Sequence, residues 1–166
     1  MPFAVTHVLV PIIITDLIRD HVLKRPRLLP NKFVFLAGIA GLVLDMDLPL
    51  YYVAAAMGVS LGSHRIIFHN VWMPLSFLGF FMFFYYVLGR KTFGKVFLML
   101  FVGTALALFM DATLMGSVMP FFPLSDAEVG LNALPQSVDL FAAIDAILLL
   151  AWLYHEEFEH KISDYF

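Results

Sequence analysis

The sequence predicts an all-α protein that lives in a membrane, a polytopic bundle of about five transmembrane helices. Three observations predict it. Hydrophobic side chains make up 61% of the 166 residues and charged ones only 14%, with a mean hydropathy of +0.89; soluble domains run nearer to about 45–50% and about 25%. At ~20 residues per span, that apolar share is enough for about five crossings. The few charges divide the chain into apolar stretches at 3–18, 33 to at least 44, 66–89, about 96–116 and about 138–154. A disordered chain, a DNA-binding domain and a cytosolic enzyme are excluded, and a net charge of −3 offers nothing to a nucleic acid. The absence of cysteine excludes disulfides, thiolate zinc ligands and a cysteine nucleophile.

The first stretch is short for a span, and the basic region that opens a cleavable signal peptide is missing before it. The third is the clearest, 24 residues without a formal charge. Eight of the ten Lys and Arg fall in two connections: Arg19, Lys24, Arg25, Arg27 and Lys32 after the first stretch, Arg90, Lys91 and Lys95 after the third. With five spans these loops share a side, which the positive-inside rule makes cytoplasmic. The N-terminus is then outside and the C-terminus, with Lys161, cytoplasmic. A sixth span over the apolar segment 48–62 would split the basic loops, so a re-entrant or interfacial segment is expected there. No repeat or polar linker divides the chain: residues 1–166 are expected to form one integral-membrane domain, with 155–166 a short cytoplasmic tail.

Ionisable groups at membrane depth are costly and are functional candidates. His7 lies near the start of the first span, Asp45 and Asp47 at the end of the second, His64, Arg65 and His69 at the start of the third, and Asp111 near the end of the fourth. Starts of odd spans and ends of even spans face one side, here the outer one. Carboxylates at C-terminal helix ends and histidines at N-terminal ends are poorly placed for the helix dipole, which at an N-terminus favours neutral, ligating imidazole. Three carboxylates against Arg65 leave charge that one divalent cation would balance. His/Asp donor sets suit zinc, manganese or iron better than calcium.

The spacing predicts that Arg65 and His69 share a helical face. His64 joins them only from the preceding turn, where Ser63 is a candidate cap. An extended Asp45-Met-Asp47-Leu-Pro49 would aim both carboxylates inward, and Pro49 favours a break there. Blander readings stand beside these. A lone histidine near a span end is more often packed than ligating, and Asp45 with Asp47 divide evenly between ligand and interfacial roles. Asp145 reads better as an interhelical hydrogen-bonding group than as metal support. Asp16 and Asp20 read as a surface ion pair with Arg19, and the aromatic run 80–86 as facing lipid or neighbouring helices. His155-Glu-Glu-Phe-Glu-His160 resembles a zincin helix but has glutamate where the second histidine is needed.

At these residues the sequence resembles the YdjM-like family of predicted membrane-bound metal-dependent hydrolases. Thr6-His7, Asp45-Met-Asp47-Leu-Pro49 and His64-Arg65-Ile-Ile-Phe-His69 match the family's blocks in order and spacing. Asp111, Gly116 and Pro120-Phe121 resemble its last block, so the likeness covers about residues 6–121. Leu44 replaces a proline usual in the family. Ala107 stands where the family has a histidine four residues before the aspartate, which implies a reduced ligand set or lost activity.

The expected function is a metal-dependent hydrolase of a membrane-lipid phosphoester at the outer face. His7, Asp45, Asp47, His64, His69 and Asp111 would bind a divalent ion, zinc first. Arg65 and Asp47 are the expected catalytic side chains, with Arg65 on the phosphoryl oxygens. The expected partners are membrane lipids or a lipid-linked substrate. A transporter using the same groups, and a degenerate partner-binding member of the family, are the competing readings.

Overall fold

The computed structural model describes residues 4–24, 29–59, 68–114, 116–135 and 137–160, without the side chains of residues 159 and 160. Every regular element among them is helical. Helix α1 (Ala4–Leu17) runs on into a π-helical turn (Ile18–Leu23), and α2 (Asn31–Gly41) follows. A 3-10 turn (Leu44–Met46) leads directly into α3 (Asp47–Ala56). Helix α4 (Trp72–Met82) ends in a second π-helical turn (Phe83–Val87), and α5 (Lys91–Thr113) and α6 (Val138–His160) complete the order.

Helix α5 and residues Val138–Phe158 of α6 are long and apolar enough to cross a membrane. A third crossing is added if α2 and Leu44–Ala56, bent by 41° at their junction, act as one. The segment Trp72–Val87 is apolar but shorter. Length and composition thus give two or three candidate spans rather than five. The segment expected to be re-entrant contains α3, a short helix with Leu48, Leu50, Tyr52 and Val53 exposed. Helix α6 continues through His160, so residues 155–160 extend the helix.

Helix α5 is the centre of the bundle and packs on α1, α2 and α4, while α6 packs chiefly on α1. The main core joins Ile12 of α1, Phe33, Val34 and Ala37 of α2, and Met99 of α5. Small residues bring these helices together, because close backbone approach is the main source of packing energy between apolar helices in lipid. A Cβ on Gly38 would stand 2.6 Å from Ile12 Cγ1. One on Gly41 would run into the His7 carbonyl oxygen, and one on Gly103 into that of Ala37. The crossings of α2 with α1 and α5 are therefore closest at the end that carries His7. At the other end, Phe84 of the π-helical turn stacks on Phe97 of α5 at 5.1 Å, so part of the aromatic run faces a neighbouring helix.

Helices α1 and α6 run parallel and in register. The Thr6 hydroxyl donates to Asp145, and His155 Nε2 lies 3.4 Å from Asp16 Oδ2. The two ends of α1 thus meet α6 at polar points about 15 Å apart. Asp145 is the interhelical hydrogen-bonding group the sequence suggested. Asp16 and Arg19 do pair, at 2.5 Å, but both are buried rather than at the surface.

Residues 116–135 form an irregular cover over one end of the bundle. Val118 and Val129 exchange backbone hydrogen bonds of 3.0 and 2.9 Å. The N–H groups of Leu131, Ala133 and Leu134 donate to the carbonyls of Ala112, Thr113 and Leu114. They satisfy acceptors that a helix C-terminus leaves open. Pro120 accepts from the Val71 N–H at 2.9 Å, tying the cover to the start of α4.

Candidate metal centre

The end of the bundle closed by this cover gathers five of the residues singled out from the sequence. His7 comes from the second turn of α1, Asp45 from the 3-10 turn and Asp47 from the start of α3. His69 precedes α4, and Asp111 lies in the last turn of α5. His64 and Arg65 lie outside the described residues. All five described residues are buried to within 2% except Asp45, which is 27% exposed.

Each histidine is oriented by one carboxylate and turns its other nitrogen toward Asp111. His7 Nδ1 lies 3.1 Å from Asp45 Oδ2, and its Nε2 3.5 Å from Asp111 Oδ1. His69 Nδ1 lies 2.9 Å from Asp47 Oδ2, and its Nε2 3.4 Å from Asp111 Oδ2. Asp45 Oδ1 stands 4.0 Å from the same His69 Nε2. An ionised carboxylate only accepts, so the contacts with Asp45 and Asp47 put a proton on each Nδ1. Neither His7 Nε2 nor His69 Nε2 makes a hydrogen bond, although both are buried.

The backbone reaches this geometry differently from the route the spacing suggested. Asp45 and Asp47 do not sit in an extended segment. The chain stays helical through a 3-10 turn, and Pro49 falls in the first turn of α3, where its missing N–H would have been unpaired anyway. Asp47 therefore occupies a helix N-terminus, which the helix dipole favours, rather than a C-terminal end. Helix α4 begins at Trp72, so His69 lies in the turn before it rather than on a helix. Two contacts hold its turn. Asp47 accepts the Phe68 N–H at 3.0 Å, and the Asn70 side-chain oxygen accepts from the N–H groups of Trp72 and Met73 at 3.1 and 3.2 Å.

Ala107, one turn before Asp111, is fully buried against Leu44, Leu108 and Val118. At this position, where the resemblance implies a histidine, apolar packing fills the space. Gly41, Gly103, Asn70 and the Thr6–Asp145 pair all position the site, and the sequence reading passed over the first three. The spacing of Gly38 and Gly41, small residues one turn apart on a span, was the available signal for the glycines.

Two neutral imidazoles and three carboxylates in a buried setting demand positive charge, supplied by protons on the histidines or by a divalent cation. The donor chemistry fits a cation of the zinc class. With ligand bonds of ~2.1 Å, the edges of a tetrahedral site are ~3.4 Å. The two Nε2 atoms lie at about that distance from different oxygens of Asp111, His7 from Oδ1 and His69 from Oδ2, so the carboxylate stands between the two imidazoles.

No curated protein and no solved structure matches the chain. The family model described as YdjM inner membrane protein matches residues 1–162, reaching beyond the motifs to include α6. An integral-membrane setting follows from the family together with the apolar helices. The chain belongs to the YdjM inner membrane protein family.

Proposed function

We propose that the protein is an integral-membrane, metal-dependent hydrolase acting on a lipid phosphoester at the outer membrane face. One observation carries the reading. His7 and His69, from two separate sequence motifs, each have Nδ1 fixed by a carboxylate and Nε2 directed at Asp111. That is the arrangement by which carboxylate–histidine pairs prepare imidazoles for a metal.

In this reading His7, His69, Asp111 and Asp45 hold the ion, zinc before manganese or iron. Asp47 has its oxygens on the Phe68 N–H and on His69 Nδ1. It therefore acts as the positioning carboxylate for His69 rather than as a ligand. His64 completes the set, and Arg65 meets the phosphoryl oxygens. A bound divalent ion would supply a Lewis acid that polarises a phosphoryl oxygen and lowers the pKa of water. Asp45, the exposed member, marks the side from which water and a head group enter.

The finer topology belongs to the same proposal. The spans are α1 with its π-helical turn, α2, α4 with its π-helical turn, α5 and α6, with α3 a re-entrant or interfacial segment. The N-terminus is outside and the C-terminus cytoplasmic, so the cluster faces outward. A transporter would need a polar path below the cluster. Asp145 is taken up by Thr6, and Ala107 and Leu108 close the space beneath Asp111. Elemental analysis of detergent-purified protein tests the reading. Wild type is expected to carry one transition-metal equivalent more than Asp111→Asn and to hydrolyse lipid phosphoesters in liposomes, and inactive wild type no richer in metal than that variant would overturn it.

A further inference from the structure

The opposite end of the bundle holds a second set of donors that the proposed hydrolase does not use. Asp16 of α1, Asp20 of the π-helical turn and His155 of α6 each offer one atom within 4.8 Å of the others. His155 Nε2 lies 3.4 Å from Asp16 Oδ2 and 3.5 Å from Asp20 Oδ2. Asp16 is wholly buried, and its Oδ2 makes no hydrogen bond. Glu156 faces Asp16 from α6, and the His21 ring centroid lies 6.1 Å from that of His155.

Arg19 neutralises part of this charge. Its Nε and Nη2 donate to Asp20 at 2.7 and 3.1 Å, its Nη1 to Asn31 Oδ1 at 2.7 Å, and Nη2 lies 2.5 Å from Asp16 Oδ1. The guanidinium thus holds Asp16 by Oδ1 and leaves Oδ2 directed at His155. Asp16, Asp20 and Glu156 thus gather around Arg19 where α1 and α6 meet.

We propose that Asp16, Asp20 and His155 hold a second divalent cation, of the zinc or manganese class, which fastens α6 to α1. The 3.4 and 3.5 Å separations are long for hydrogen bonds but match the ~3.4 Å edge of a tetrahedral site with ~2.1 Å ligand bonds. The ligands come from two helices, so the faulty zincin spacing within α6 is no obstacle. The ion has a structural use. Helix α6 packs chiefly on α1, and the Thr6–Asp145 hydrogen bond secures only one end of that pair. The cation secures the other.

Cobalt titration of detergent-purified protein, followed by visible absorption and thermal midpoint, tests this site. The Asp111→Asn variant removes the central carboxylate of the outer cluster and is expected still to bind one equivalent of Co2+. Adding His155→Ala to that variant should remove the absorption bands and weaken binding at least tenfold, with helical circular dichroism retained. His155→Gln serves as the second variant should the alanine protein not fold. In the wild-type background, Co2+ should raise the thermal midpoint, and His155→Ala should cancel the rise. A folded Asp111→Asn protein that binds no cobalt overturns the proposal, as does binding unchanged by loss of His155. Wild type binding one equivalent, lost with His155→Ala but kept in Asp111→Asn, would uphold this site and sink the outer one.

Discussion

Asp47→Asn separates a positioning carboxylate from a ligand. Asp47 accepts the Phe68 N–H with both oxygens at 3.0 Å and holds His69 Nδ1 at 2.9 Å. Asparagine keeps the shape, and its one oxygen can still serve Phe68. Its amide then turns toward His69 Nδ1 and donates, which favours the tautomer protonated on Nε2, unable to ligate. Loss of such an outer carboxylate typically costs about 10–100-fold in metal affinity, or about 1.4–2.7 kcal/mol. The number of sites should stay the same. Asp111→Asn, by contrast, removes the group that lies 3.5 and 3.4 Å from both Nε2 atoms, and should abolish binding at the outer cluster. Zinc titration against a chromophoric chelator measures both. An Asp47→Asn protein indistinguishable from wild type would falsify the positioning role, and one that loses outer binding as completely as Asp111→Asn would make Asp47 a ligand.

Gly41→Ala forces the His7 backbone away from α2 and should cost about 1–3 kcal/mol in thermal stability, together with zinc affinity. Gly79→Ala, which meets nothing within 4 Å, should show no such loss. Metal occupancy should fall on acidification, because protons compete with the metal for the histidine nitrogens, and return when pH is raised; chelator titrations at a series of pH values read it. Thr6→Val removes the hydroxyl that donates to Asp145 and should destabilise the fold by about 0.6 kcal/mol, at most about 1.7, seen in denaturant titrations in micelles. The chain has no cysteine, so single substitutions report orientation cleanly. An impermeant maleimide added to intact cells should label Leu131→Cys and spare Lys95→Cys, and the reverse pattern would invert the topology.

Much of this site was legible because lipid tolerates so few charges. His7, Asp45, Asp47, His69 and Asp111 stood out in apolar stretches, and odd–even counting of spans placed them at one end of the bundle, where the structure brings them together. What failed was local geometry. The spacing suggested a helical His69 and an extended Asp45–Asp47 segment, whereas a 3-10 turn and the Asn70 cap set both. Asp16 and Arg19 looked like a surface pair because charge at a span end usually reaches water. Their burial depends on α6 lying parallel to α1, which nothing near residues 16–19 encodes.

The sequence by itself determined the membrane setting, the all-α class and the few residues able to carry chemistry, since the cost of burying charge acts residue by residue and leaves its mark in composition. The tertiary structure alone decided which nitrogen of each histidine faces inward, which carboxylate orients and which faces the centre, and that Asp16, Asp20 and His155 meet. Those outcomes depend on helices approaching closely at Gly41 and Gly103 and on the register of α1 with α6. Distances of that kind arise only when segments far apart in the chain are packed against one another.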